Sequence, residues 1–482
     1  MPAYFLEIAI VLLGLGLLMV DAFATTLDRR LLGHLGIAGV AAVLAGLVFG
    51  VESSASEPLW GFYATDTAAL FYKGLALVCT LLVLVLALEY APVLESYRDG
   101  RPGRRGLGEF LCLPLFLCAG LMWMASMTDL LGLFVALETV TITFYVVVAY
   151  MRRNLGSLEA GVKYLILGAL STGFLLYGLA WLFGLTGQTN LAAIQTVLVD
   201  WKGDTTPLLF TMALLMVGLS FKVGAAPFQF WIPDVYQGAP TPITAFLSVG
   251  SKAAGFIVLI RLLEPLLASP IRHAVLLMLG VLAGATLIVG NLAAINQPNF
   301  KRLLAYSSIA HAGFLLMALA AGQPAGGVSP NGVVALYLGT YLVMTMLAFA
   351  VLVIVRKAGG SDELTAFNGL SQRSPFLAFA LVLAMASLAG VPLTAGFFGK
   401  FFSLVLIAGA GQWALLAVAV VAAACGFYYY FKVIRCMYWN DPASDAPPLV
   451  FSQLTRVAII LLCVAVVVLG VYPKPLTCLL AP

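Results

Sequence analysis

Charge is what this sequence has least of. Asp, Glu, Lys and Arg make up 10% of its 482 residues, against roughly a quarter in an ordinary water-soluble domain, and that shortage excludes a soluble fold. Nor is there a strong excess of one sign. The formal charge is +4, and the basic residues are scattered through short connections, which excludes a nucleic-acid surface as a role. Cysteine pairs are missing too: the seven cysteines, at 79, 112, 118, 425, 436, 463 and 478, form no CxxC and mostly lie in apolar runs. They read as small hydrophobes, with no disulfide framework, metal site or iron–sulfur cluster indicated. No GxGxxG loop precedes a helix to cradle a dinucleotide. The stretch Met1 to Val20 lacks a basic leading region and carries Glu7, so it is expected to persist as a first membrane helix and not as a cleaved signal.

What fills the sequence is apolar. Crossing a hydrocarbon core of about 30 Å takes roughly 20 apolar residues, and windows of that kind fall at 3–20, 31–51, 68–88, 110–127, 130–150, 158–183, 207–231, 240–262, 274–295, 303–321, 332–355, 375–407, 412–431 and 455–471. The predicted fold class is therefore all-α: a polytopic membrane helix bundle of fourteen windows, with no room for a sizeable soluble domain. The window at 375–407 holds Gly390, Pro392 and Gly396 and is expected to be one interrupted helix.

Basic residues in short loops stay on the cytoplasmic side. The odd-numbered connections carry sixteen: Arg29, Arg30, Arg98, Arg101, Arg104, Arg105, Arg152, Arg153, Lys301, Arg302, Arg356, Lys357, Arg373, Lys432, Arg435 and Arg456. The even-numbered connections and the tail carry four: Lys202, Arg261, Arg272 and Lys474. This bias places the odd loops in the cytoplasm and, with an even number of spans, both termini outside.

Five lysines, Lys73, Lys163, Lys222, Lys252 and Lys400, fall inside the windows together with Glu138, while Glu7 and Glu159 lie near window ends. A charge at the centre of a membrane helix costs roughly 2.5 to 3.5 kcal/mol, so several of them together mark an ion pathway. At about 1.5 Å per residue, Glu138, Lys252 and Lys222 lie roughly 12, 18 and 22 Å into their windows. Lys73 and Lys163 lie only about five residues in, where a lysine stem can carry its ammonium to the interface. That is the expectation for Lys73; for Lys163, depth alone leaves both readings open.

Burial disfavours the charged form of a lysine and a nearby carboxylate favours it, so a buried Glu–Lys pair can exchange protons, or can simply hold two helices together. Pro227, which follows Lys222 in FKVGAAPFQFW, and Pro392, which precedes Lys400 in SLAGVPLTAGFFGKF, each remove a backbone hydrogen bond inside the membrane. Such breaks are tolerated where protein or water satisfies the freed groups, although proline also makes plain kinks. His311, mid-window beside Ser307 and Ser308 in AYSSIAHAGF, is either a proton relay working near neutral pH or a satisfied packing residue.

The runs KVGAAPFQFWIPDVYQGAPTPITAFLSVGSKAA, KRLLAYSSIAHAGF and SLAGVPLTAGFFGKF resemble the N-type antiporter-like chains of bacterial complex I, the NADH:quinone oxidoreductases, and the resemblance spans most of the sequence. It implies two inverted five-helix repeats: 1–109 would hold the first three helices, 110–262 the first repeat, 263–440 the second and 441–482 the last helix. The broken seventh and twelfth helices would take equivalent fourth places.

Carried over by residue, Glu138 and Lys222 resemble the family's glutamate–lysine pair, Lys163 its sixth-helix lysine, Lys252 its connecting lysine, His311 a histidine between two half-channels and Lys400 its terminal lysine. Gln229 stands where the family often has histidine, and glutamine cannot titrate. The function implied is proton translocation in the bacterial inner membrane, beside other membrane and peripheral subunits that include adjoining antiporter-like chains. No cofactor is implied in this chain; NADH, flavin, iron–sulfur clusters and quinone would belong to partner subunits. The rivals are a subunit of a secondary cation/proton antiporter and a structural scaffold whose buried charges only hold helices together.

Overall fold

The apolar windows fold as helices. The computed structural model describes residues 2–24, 27–51, 61–97, 107–325, 327–359, 361–442 and 447–474; Arg98, Arg101, Arg104, Arg105 and Cys478 lie outside the described residues. In chain order the α-helices are α1 (Tyr4–Phe23), α2 (Arg29–Gly50), α3 (Thr67–Ser96), α4 (Leu107–Ser126), α5 (Leu130–Val148), α6 (Leu155–Thr186), α7 (Leu191–Val199), α8 (Thr206–Val223), α9 (Trp231–Gly238) and α10 (Thr241–Phe246). They continue as α11 (Lys252–Leu267), α12 (Arg272–Ile295), α13 (Phe300–Ala320), α14 (Pro330–Gly359), α15 (Leu370–Arg373), α16 (Pro375–Ala389), α17 (Ala395–Gly409), α18 (Trp413–Trp439) and α19 (Gln453–Val471). Thirteen segments among the described residues are long and apolar enough to cross a membrane. In one of them α10, a π-helical turn at Leu247–Ser251 and α11 run on as a single span. The shorter α16 and α17 occupy the remaining window, which is thus interrupted as its Gly and Pro content predicts.

Side chains fix where several helices begin, because the first turn of a helix has N–H groups with no partner inside it. Asp129 accepts from the N–H groups of Leu131 and Gly132 at α5, and Asn190 from those of Ala192 and Ala193 at α7. These two caps also pair: Leu130 N donates to Thr189 O and Leu191 N to Thr128 O, both at 2.9 Å.

The chain divides into two compact units. Unit 1 comprises Met1–Leu88, Tyr97–Val223 and Gly250–Met278. Inside it α6 and α8 come unusually close, because a Cβ on Gly218 would lie 3.1 Å from the Leu175 backbone and one on Gly178 would lie 3.0 Å from that of Leu215. Small residues at such crossings let membrane helices approach until dispersion holds them.

Unit 2 comprises Glu89–Ser96, Gly224–Val249 and Leu279–Pro482. Its α13 is wrapped by protein, with 94% of its most apolar stretch buried, against 33% for α18. Outward faces such as Val420, Val421 and Phe427 of α18 suit lipid or other membrane chains, as a multi-pass membrane protein requires.

Both proline-containing breaks are present, and glycine sets their geometry. α8 stops at Val223, followed by Gly224 at φ 80°. In unit 2 the N–H of Ala226, freed by this break, donates to Thr286 Oγ1 at 2.9 Å, so protein satisfies it. α16 ends on Gly390 at φ 87°, a left-handed conformation that glycine adopts without strain. Gly396 then sits so close to α16 that a Cβ would come within 1.9 Å of the Ser387 carbonyl oxygen.

Candidate functional site

In unit 1 the midpoint of α5 meets the last turn of α8. Lys222 Nζ lies 3.7 Å from Glu138 Oε1, with the two side chains 8% and 20% exposed. Each partner is also held by a hydroxyl: Lys222 donates to Thr141 Oγ1 at 2.7 Å, and Thr172 of α6 donates to Glu138 Oε1 at 2.9 Å. Thr141 stands three residues after Glu138, on the same helix face. α6 packs against α5, which brings Thr172 within reach. A hydroxyl both donates and accepts, so this loose ion pair can exchange a proton without repacking. Lys222 itself belongs to the last turn of α8, beside the break.

Lys252 opens α11 immediately after the π-turn and is 3% exposed. Gly255, one turn on, lets α11 lie against the end of α8: its Cβ would stand 3.3 Å from the Lys222 carbonyl carbon. Lys163 has a different setting, on a side of α6 with a 42% exposed side chain, bonded to Glu159 at 2.7 Å. The expectation that Lys73 reaches the interface is corrected. Its side chain is fully buried, 2.8 Å from Glu7 Oε1, and it donates to Tyr63 OH at 2.5 Å while Tyr63 donates to Glu7. The 61–66 segment returns over the start of α3 and closes it off, a fold-back that helix depth does not register.

In unit 2 the two other proposed site residues stand on neighbouring helices. Lys400 of α17 reaches back across the break and donates to Leu388 O and Ala389 O, each at 2.8 Å. It thereby caps the end of α16. Its ammonium stands 5.5 Å from the Phe314 ring centroid. Phe314 is three residues beyond His311 on α13, and His311 is 2% exposed.

Both ring nitrogens of His311 meet tyrosine hydroxyls, Nδ1 with Tyr337 OH at 2.7 Å and Nε2 with Tyr430 OH at 3.2 Å. Tyr430 OH in turn bonds Ser307. A neutral imidazole donates through one nitrogen and accepts through the other, so a change of tautomer moves a proton from one tyrosine side to the other. Tyr337 also packs on Gly399, where a Cβ would come within 2.8 Å of its ring, so it spans from His311 to the residue next to Lys400. Gln229, in the first break, is 6% exposed and its Oε1 has no hydrogen-bond partner.

Sequence reading missed the hydroxyls. Thr141 had a signal, its i+3 spacing from Glu138; Thr172, Tyr337 and Tyr430 had none, because they come from helices distant in sequence.

Comparison with known proteins identifies the family and the fold. The family model described as NADH:quinone oxidoreductase/Mrp antiporter, TM, matches residues 127–426. NADH-quinone oxidoreductase subunit N of Heliobacterium modesticaldum is 39% identical over 479 residues, 98% of this chain and 96% of the relative. A chain of respiratory complex I from Thermus thermophilus superposes with a TM-score of 0.78 at 33% identity, covering 97% of each chain. A chain of the membrane-bound sulfane sulfur reductase, an archaeal respiratory membrane complex, gives a TM-score of 0.85 at 23% identity, over 99% of this chain and 96% of that one; it shares the fold. Matched by the family model over residues 127–426 and by a relative along almost its whole length, this chain belongs to the subunit N family of NADH-quinone oxidoreductases, within the NADH:quinone oxidoreductase/Mrp antiporter membrane proteins.

Proposed function

We propose that this chain is a proton-translocating antiporter-like membrane subunit of an NADH:quinone oxidoreductase. NADH oxidation and quinone reduction take place in partner subunits, which hold the flavin, iron–sulfur clusters and quinone. The carrying observation is the Glu138–Lys222 pair, 3.7 Å apart inside apolar helices, hydroxyl-bridged on both sides and set at a helix break. Identity of 39% with a subunit N relative along 98% of this chain supports this reading over a secondary cation/proton antiporter. Glu138, Lys163, Lys222, Lys252, His311 and Lys400 are the proton-handling residues, and Pro227 and Pro392 mark the breaks that make room for them.

The setting follows from the same reading. The chain lies in the bacterial inner membrane with both termini on the periplasmic side, beside adjoining antiporter-like chains and the peripheral subunits. Its two inverted five-helix repeats, 110–262 and 263–440, are supported by a matched local motif. The pairing of Leu130 and Leu191 with Thr189 and Thr128 has a counterpart: Phe300 N donates to Asp362 O at 2.7 Å and Leu364 N to Pro298 O at 2.8 Å. Each motif ties the start of a repeat's second helix to the segment after its third.

Glu138→Gln, Lys222→Ala and the double variant, in membranes holding the assembled complex, test the proposal. Subunit amounts are expected to stay normal while proton translocation and turnover fall. Reduced amounts with normal activity per complex would instead identify a structural ion pair.

A further inference from the structure

Lys301 belongs, by sequence, with the loop cations that set orientation. In the structure it is the second residue of α13 and only 2% exposed. Its Nζ donates to the carbonyl of Ala239, which caps the C-terminus of α9, at 3.0 Å. It also stands 3.4 Å from Asp362 Oδ2. We infer that Lys301, with Asp362 as its counterion, is a further proton-transfer residue, feeding the hydroxyl groups that lead along α13 to His311.

Three observations, all within unit 2, carry this. First, the setting repeats that of the lysines already described. The ammonium donates to a carbonyl at a helix C-terminus, like that of Lys400, and its carboxylate is at 3.4 Å, close to the 3.7 Å of Lys222 and Glu138.

Second, Lys301 stands between partly exposed charged groups and the hydroxyls of the interior. Its neighbour Arg302 is half-buried, pairing with Asp234 at 2.7 Å and Gln237 at 2.9 Å. Inward, two turns and about 10 Å along the same face of α13, Ser308 Oγ meets Tyr236 OH at 3.2 Å, and His311 follows one turn later. Thr244 Oγ1 adds a hydroxyl between, against Tyr236 O at 3.1 Å and Ala239 O at 3.5 Å. Ser248 bonds Tyr341 OH at 2.9 Å, and the Tyr341 ring centroid is 5.0 Å from that of His311.

Third, Asp362 is incompletely satisfied. Its Oδ1 is buried with no hydrogen-bond partner, 3.7 Å from Arg356 Nε. Buried polar atoms of this kind are where internal water binds, and water is what carries a proton between groups set about a helix turn or two apart.

Lys301 gives one proton from Nζ to a water on its inward side, breaking N–H and forming O–H, and the neutral amine takes one back from a water on the Asp234–Arg302 side, re-forming N–H, while Asp362 keeps its negative charge. A structural cation would need only the charge, and arginine supplies that without releasing a proton.

This inference rests on the proposed function, and the test separates the two. Lys301→Arg, Lys301→Met and Asp362→Asn are compared with Lys222→Ala in membranes holding the assembled complex, with subunit amount, quinone reductase rate and protons translocated read together. The expected result is normal assembly of Lys301→Arg with loss of proton translocation matching that of Lys222→Ala, and a partial loss in Asp362→Asn. Should Lys301→Met fail to assemble, Lys301→Arg still decides. Full proton translocation in Lys301→Arg, with Lys222→Ala defective, would overturn the role of Lys301 alone. Full translocation in both would overturn the proposed function itself.

Discussion

Lys73 stands about five residues inside its apolar window, and by depth alone its ammonium reaches the interface. The fold instead brings Glu7, from the first helix, and Tyr63, from the preceding connection, onto it. No spacing within one helix announces such a pair, since its members lie 66 residues apart in the sequence. Glu138 and Lys222, by contrast, were legible because each lies far from both ends of its apolar window, although α8 itself stops one residue after Lys222. The corrected setting reverses the consequence of mutation at Lys73. Lys73→Met strands the Glu7 carboxylate in the interior, and breaking a buried pair from one side costs about 3 to 5 kcal/mol. The variant should accumulate poorly in the membrane, and Glu7→Gln added to Lys73→Met should restore much of the loss. Immunoblots of membranes from the single and double variants check this; a single variant as abundant as the parent chain would contradict it.

Among the elements, the broken helices were legible at low resolution. Pro227 and Pro392 announce that a helix stops, but the stopping points are set by Gly224 and Gly390, and the tight return by Gly396 against Ser387. The π-turn at Leu247–Ser251 gave no comparable signal, since LSVGS reads as ordinary apolar helix; tertiary contacts, Ser248 with Tyr341 among them, decide it. Such turns are rare and recur at functional sites, which fits its place just before Lys252. The crowded contact at Gly396 leads to a contrast between two glycines. A methyl group there has 1.9 Å to the Ser387 carbonyl oxygen, whereas at Gly173 it meets nothing within 4 Å. Gly396→Ala should therefore deplete the subunit from the membrane and Gly173→Ala should not, as quantification of the membrane-bound chain will show. Equal amounts of the two would mean that the break relaxes more freely than its geometry implies.

At the scale of the whole chain, composition and window count were enough to read a multi-pass membrane bundle, because hydrocarbon leaves a span few alternatives to the helix. The side-chain networks could not be read so, because each joins helices from several parts of the chain: Lys222 with Thr141, His311 with Tyr337 and Tyr430. Lys222 and Lys400 share a setting beside a helix break, the first held by a hydroxyl and the second by two carbonyl oxygens.

The central claim is that these lysines carry protons and do not merely supply charge, and Lys400 offers the most direct test. Its ammonium is bonded to Leu388 O and Ala389 O, contacts that an arginine could also make while staying protonated. Proton uptake and quinone reductase activity, measured on the same membranes carrying Lys400→Arg, decide the matter. The account predicts a normally assembled subunit with coupled activity lost, as in Lys400→Met; full coupled activity in Lys400→Arg would contradict it.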